Sequence, residues 1–215
     1  PVRPVGLAPL YGQVRMWNVP RVEDVRPGPP PAIGSAEFQV AVDELVDMQN
    51  NMTEGMRKIA NWWQDGLGTY TPPGHWNRFA KEFMIKYKEN PIRSARTFAY
   101  MNMAIMDAGI SCWDAKYYYH YPRPIETIPG FKTILGTPNF PSYTSGHSTF
   151  SAAASEVLSY VYPAETALCE QWAWEAAESR IYGGIHYRFD AEVGITQGKA
   201  VGKYSVDRAK LDGAD

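Results

Sequence analysis

Apolar residues recur at helical spacing along most of the chain, and no segment makes a persuasive strand. Ser35 stands where a helix cap belongs, and Phe38, Ala41, Val42, Leu45 and Val46 follow on one face. Met52, Met56, Ile59, Ala60 and Trp63 repeat that spacing over residues 52–65. Further helices are expected near 76–89 and over 92–119, where Gly109 is a mild interruption and Pro122 and Pro124 end the pattern. The period resumes from His147 to Val161 through Phe150, Ala153, Ala154, Val157 and Leu158. Pro163 opens another helix, carrying Leu168, Trp172 and Ala176 toward Ser179. A last helix runs from His186 to Asp207, weakened by Gly194, Gly198 and Gly202. Six or seven helices predict an all-α, bundle-like fold.

The segments between them divide the chain. Residues 1–34 hold eight of the 17 prolines and show no period, so they are expected to form an arm. It would wrap the main body or pack on material outside this chain, with Leu10, Met16 and Trp17 as anchors. Residues 35–215 are then expected to form one helical domain. Asp65 to Trp76 reads as a polar loop rich in glycine, threonine and proline, and 125–145 as a long irregular connection.

Composition narrows the function classes. With 21 basic and 23 acidic residues and a net charge of -2, the chain lacks the positive field of a nonspecific nucleic-acid binder. No apolar run is long enough for a membrane-spanning helix. Cys112 and Cys169 are two core thiols or one bridge, too few for a disulfide scaffold or a four-ligand metal site. The chain begins at Pro1, which suggests processing or cleavage: it is expected to be the C-terminal part of a longer precursor, secreted or periplasmic, in contact with the missing N-terminal part.

The chemistry lies in three fragments. Lys116 and Arg123 flank an aromatic run from Tyr117 to Pro122 that is expected to pack in the core and around a pocket, with His120 among the tyrosines. Ser145-Gly146-His147 opens a helix, and Ser179-Arg180 precedes His186 and Asp190. Each cation alone reads as a solvated surface residue. Together they supply what a tetrahedral oxyanion needs: a compact ammonium at Lys116, forked guanidiniums at Arg123 and Arg180, and free amides at a helix N-terminus. His186 and Asp190, four residues apart, can share a face, so that the carboxylate orients one ring nitrogen while the other meets the anion. His147, on a different helix, suits proton transfer.

These fragments resemble the three-part signature of the vanadium haloperoxidase and type 2 phosphatidic acid phosphatase superfamily. The first part reads Lys116 to Arg123-Pro124, the second Pro141 to Ser145-Gly146-His147, and the third Ser179-Arg180 to His186 and Asp190. The resemblance implies that superfamily's helical core. It also implies that Lys116, Arg123, Ser145, Gly146 and Arg180 hold phosphate or vanadate. His186 would bond vanadium in a peroxidase or phosphorus in a phosphatase, with Asp190 orienting it and His147 as acid–base residue. Lys116 would also polarise peroxide. Thr144 departs from the signature, where proline commonly precedes Ser-Gly-His, and should leave the loop less rigid.

Trp113 and Phe140 are similar to aromatic residues on the halide side of the fungal-type chloroperoxidase pocket, although core packing accounts for them equally. The 66–77 loop, with His75 at the entrance, resembles the haloperoxidase-like branch. The expected function is therefore halide oxidation by hydrogen peroxide at histidine-bound vanadate. The alternatives are phosphate-monoester hydrolysis through a phosphohistidine, with no cofactor, and an inactive helical protein that retains the anion pocket.

Overall fold

The computed structural model describes residues 6–66 and 68–214, and among them holds eight α-helices and no strand. Helix α1 spans Ala36–Asn50, with the Ser35 hydroxyl accepting the Phe38 N–H at 3.2 Å. Its buried stripe is Phe38, Ala41, Leu45 and Met48. Val46, expected in the core, is 37% exposed, because one step past Leu45 turns it about 100° off the stripe. Helix α2, Glu54–Trp62, is shorter than expected and starts at the Thr53 cap; buried Trp63 ends it.

Helix α3 corrects the loop expectation. It spans Thr71–Lys86, so Thr-Pro-Pro-Gly-His-Trp is its first part and not a connection. Pro72 and Pro73 sit where a helix has no use for their missing N–H and where their fixed φ favours entry. His75 is consequently fully buried instead of lining an entrance. Leu67 of that loop lies outside the described residues.

Helix α4, Pro91–Tyr119, is 29 residues long and runs unbroken through Gly109 to His120, whose φ of +52° ends it. His120 is exposed and not enclosed by the tyrosines. A short α5, Pro124–Thr127, interrupts the connection to α6, Gly146–Val161; α7, Thr166–Tyr182, and α8, Arg188–Ala209, complete the bundle. Helix α6 is central and packs on α3, α4, α7 and α8.

The three glycines expected to weaken α8 lie within an unbroken helix and serve its packing. They recur every fourth residue on the face toward α6, where a Cβ on Gly198 would stand 2.3 Å from the Thr149 carbonyl oxygen, and one on Gly194 2.9 Å from that of Ser145. Bare backbone lets the two helices approach this closely. Cys112 and Cys169 are buried and unbridged.

The described part of the arm, residues 6–34, lies along α4 and is fastened by polar bonds more than by its apolar side chains. Leu10 and Trp17 are 66% and 59% exposed, and of the three expected anchors only Met16 is buried. The Asp107 carboxylate accepts the Trp17 and Asn18 N–H groups, while the Tyr117, Tyr119 and Tyr121 hydroxyls donate to the Leu7, Pro27 and Pro31 carbonyls. Tyr118, expected in the core or pocket, is exposed beneath the Arg26 guanidinium, 4.1 Å away, and Arg26 also pairs with Asp114. Residues 1–5 lie outside the described residues.

Candidate active site

The start of α8 builds the first histidine. His186 lies just ahead of the helix, and Asp190, in its first turn, reaches back so that one carboxylate oxygen accepts the Tyr187 N–H at 3.1 Å. The same oxygen accepts His186 Nδ1–H at 2.8 Å and the Ser142 hydroxyl. Nδ1 thus carries the hydrogen and Nε2 the lone pair, which accepts Arg123 Nη1–H at 3.0 Å. Burial holds His186 well below the usual imidazole range, and the nearby Arg123, Lys116 and Arg180 charges push it further. Burial raises Asp190, against the pull of Ser142, Lys116 and Arg123.

The start of α6 builds the second. Ser145 caps it through Ser148 N–H, and the Gly146 and His147 amides belong to the first turn, whose N–H groups have no partner within a helix. His147 retains 15% side-chain exposure against 4% for His186, so it is the more accessible imidazole. Burial and the Arg180 charge lower its pKa, opposed by a hydrogen bond with the Trp63 backbone.

The three cations are buried together and differ in their free donors. Lys116 Nζ donates to the Pro141, Ser142 and Thr144 carbonyls, which uses all three N–H groups and clasps the loop leading into α6. Burial pushes it down to about 7, with Arg123 lowering it too. Arg123 bonds the Phe140 and Ile185 carbonyls and His186, leaving Nη2 without a partner. Arg180 donates to Ser179 Oγ and the Ala60 carbonyl. Burial lowers Arg123 to about 10 and Arg180 to about 9, so both stay charged at neutral pH. The Thr144 hydroxyl donates to Gln197 at 2.6 Å, a side-chain tether that a proline at this position would lack.

Phe140 covers this charge, 5.1 Å from Lys116 Nζ and 5.0 Å from the Arg123 guanidinium carbon. Trp113 packs on it at 4.9 Å, so the two expected pocket aromatics meet beside the cations. The structure also brings in Asp65, which the sequence reading did not single out. One of its oxygens lies 3.0 Å from His75 Nδ1 and 3.9 Å from His147 Nε2. The available signal was its isolation: no other Asp, Glu, Lys or Arg occurs between Lys58 and Arg78.

Buried polar atoms without partners cost stability, and four of them cluster in this site: Arg123 Nη2, His147 Nε2, Ser148 Oγ and Asp190 Oδ1. The first two, beside a helix N-terminus and three cations, fit an oxyanion. Comparison with protein families matches residues 97–209 to the PAP2 superfamily. The chain belongs to that superfamily.

Other comparisons agree. The vanadium chloroperoxidase of Curvularia inaequalis is 26% identical over 198 residues, covering 72% of this chain and 32% of that protein. A bacterial vanadium-dependent iodoperoxidase superposes with a TM-score of 0.88 at 33% identity, over 97% of this chain and 59% of its own. An apo-type bacterial vanadium-dependent chloroperoxidase reaches a TM-score of 0.80 at 15% identity, over 94% of this chain and 55% of its own, a likeness of fold. The chain spans about a third of the curated relative's length. Its helical core is that of PAP2 and vanadium haloperoxidase proteins, an enzyme superfamily with both peroxidase and phosphatase branches. Among the described residues no helix is long and apolar enough to cross a membrane.

Proposed function

We propose that this PAP2-superfamily chain is a vanadate-dependent haloperoxidase-like enzyme that oxidises halide with hydrogen peroxide. The observation that carries the reading is the iodoperoxidase likeness, at 33% identity over 97% of this chain, joined to a cationic site walled by Trp113 and Phe140. Vanadate would supply Lewis acidity toward peroxide.

The chain's own groups hold the anion and handle protons. His186 presents the Nε2 lone pair because Asp190 fixes the hydrogen on Nδ1. On binding, Nε2 would exchange the Arg123 N–H for the anion's central atom. Arg123, Arg180 and the Gly146 and His147 amides would meet its oxygens, and the Lys116 charge would stabilise them from the loop it clasps. His147, beside Asp65, would exchange a proton with one of the anion's oxygens. The Trp113 and Phe140 faces would keep water from the halide side.

The same groups suit a phosphatase, because a neutral His186 with a free Nε2 is also a nucleophile for phosphorus. His147 would then protonate the leaving alkoxide. Parallel assays of the purified chain separate the two: halide-dependent peroxide consumption with orthovanadate, first with iodide, and phosphate-monoester hydrolysis without it. Vanadate-dependent halide oxidation is expected. Hydrolysis in the vanadate-free assay, with no halide oxidation under saturating vanadate, would replace the peroxidase reading with the phosphatase one.

A further inference from the structure

The geometry points to His75 as a positioning residue: by holding the Asp65 carboxylate, it keeps that carboxylate from closing onto His147. The inference rests on the reading of His147 as the proton-transfer group. It begins from a shared oxygen. Asp65 Oδ2 stands between two imidazoles, at 3.0 Å from His75 Nδ1 and 3.9 Å from His147 Nε2, so it is hydrogen-bonded to one and only near the other. Facing a carboxylate, His75 Nδ1 carries the hydrogen and donates it.

The His75 ring is confined. It is fully buried, with Trp63 at 4.4 Å, Phe79 at 4.8 Å and Tyr70 at 5.4 Å between ring centres. Its Nε2 has no hydrogen-bond partner. A phenylalanine would fill such an aromatic nest without burying an unpaired nitrogen, so packing alone does not explain an imidazole there. The bond from Nδ1 to Asp65 does.

The consequence for His147 follows from what surrounds it. Asp65 and the Trp63 backbone face it from the α2–α3 connection, His75 from α3, Lys116 from α4, Arg180 from α7, and His186 from ahead of α8. Arg180 feels the Asp65 charge but makes no hydrogen bond to it, donating instead to Ser179 Oγ, the Ala60 carbonyl and, at 3.5 Å, the Gln64 carbonyl. Without the His75 donor, the nearest imidazole to the Asp65 carboxylate is that of His147. Closure over that short gap would form an ion pair, stabilise the imidazolium and occupy the Nε2 atom that now has no partner.

The test is a proton–nitrogen magnetic resonance titration of His147 in the whole chain, the four histidines being assigned by single substitutions. His75→Phe keeps the aromatic stack and removes the donor; His75→Asn keeps an N–H near the Nδ1 position. The His147 midpoint is expected to rise by about 1 pH unit in His75→Phe and to stay near wild type in His75→Asn. The limb of the kcat/KM profile that reports His147 should move by the same amount. An unchanged or lowered midpoint in folded His75→Phe would overturn the inference and leave His75 as packing. Should His147→Ala retain full turnover, the acid–base reading would fail, while the titration still decides what His75 does to Asp65.

Discussion

The Ser145 N–H donates to the carbonyl oxygen of Asp190 at 2.9 Å, so the cap of α6 and the first turn of α8 are joined backbone to backbone. This one bond ties the element that presents His147 to the element that orients His186. Close approach of α6 and α8 along the glycine stripe makes it possible, which places the origin of the site's geometry in packing.

That packing is testable at Gly198. An added methyl would meet the Thr149 carbonyl oxygen at 2.3 Å, so Gly198→Ala should lower stability by about 1–3 kcal/mol in urea titrations. Gly136, with open space around it, is the control, and Gly136→Ala should change stability by less than about 0.5 kcal/mol. Equal effects would mean that α6 and α8 do not depend on this contact.

Asp190 acts through His186, to which it is bonded at 2.8 Å. Asp190→Asn removes the charge and allows the wrong tautomer, so orthovanadate affinity is expected to fall about 10- to 100-fold, with a native circular dichroism spectrum. Unchanged affinity would show that Nε2 of His186 does not bind the anion.

Stability should depend on pH through both imidazoles. Burial lowers the pKa of His147 and His186 in the folded chain, so below the ordinary histidine pKa the unfolded chain binds protons that the folded one does not. Stability is then present above about pH 6.5 and declines as pH falls, by at most about 1.4 kcal/mol per group per pH unit. His147 contributes the smaller part, since solvent reaches it. Urea midpoints between about pH 7.5 and 5.5 should show this fall, and His186→Gln should flatten it.

Anion binding should take up a proton. Burial first, and then the Arg180 and Lys116 charges, keep His147 deprotonated, and a bound dianion offsets the two charges. Titration calorimetry with tungstate in buffers of different ionisation enthalpy should show uptake of up to one proton near neutral pH. Affinity should tighten as pH falls from about 8 to 6. Release of a proton, or no exchange, would contradict the electrostatics described for the site.

Much of this was legible in the sequence, for reasons that differ by residue. Helical periods and caps located α1, α6 and α7 because local spacing decides them, and the ordered fragments around Lys116, Ser145 and His186 announced the site. The start of α3 was missed because Pro72 and Pro73 punctuate a loop and open a helix with equal force. Gly194, Gly198 and Gly202 read as weakness because their benefit lies on another helix. Asp65 stayed hidden for a similar reason: only the fold brings it between His75 and His147, residues 10 and 82 positions away. The donors of Lys116 were also beyond the sequence, since its partners are loop carbonyls.

The central claim is that residues 116–190 form one oxyanion site closed on His186. The direct measurement is equilibrium binding of orthovanadate to the wild-type chain and to His186→Ala, each checked for native secondary structure. One site per chain is expected in the wild type, with affinity lowered about 100-fold or more in His186→Ala. Equal binding by both proteins would contradict the claim.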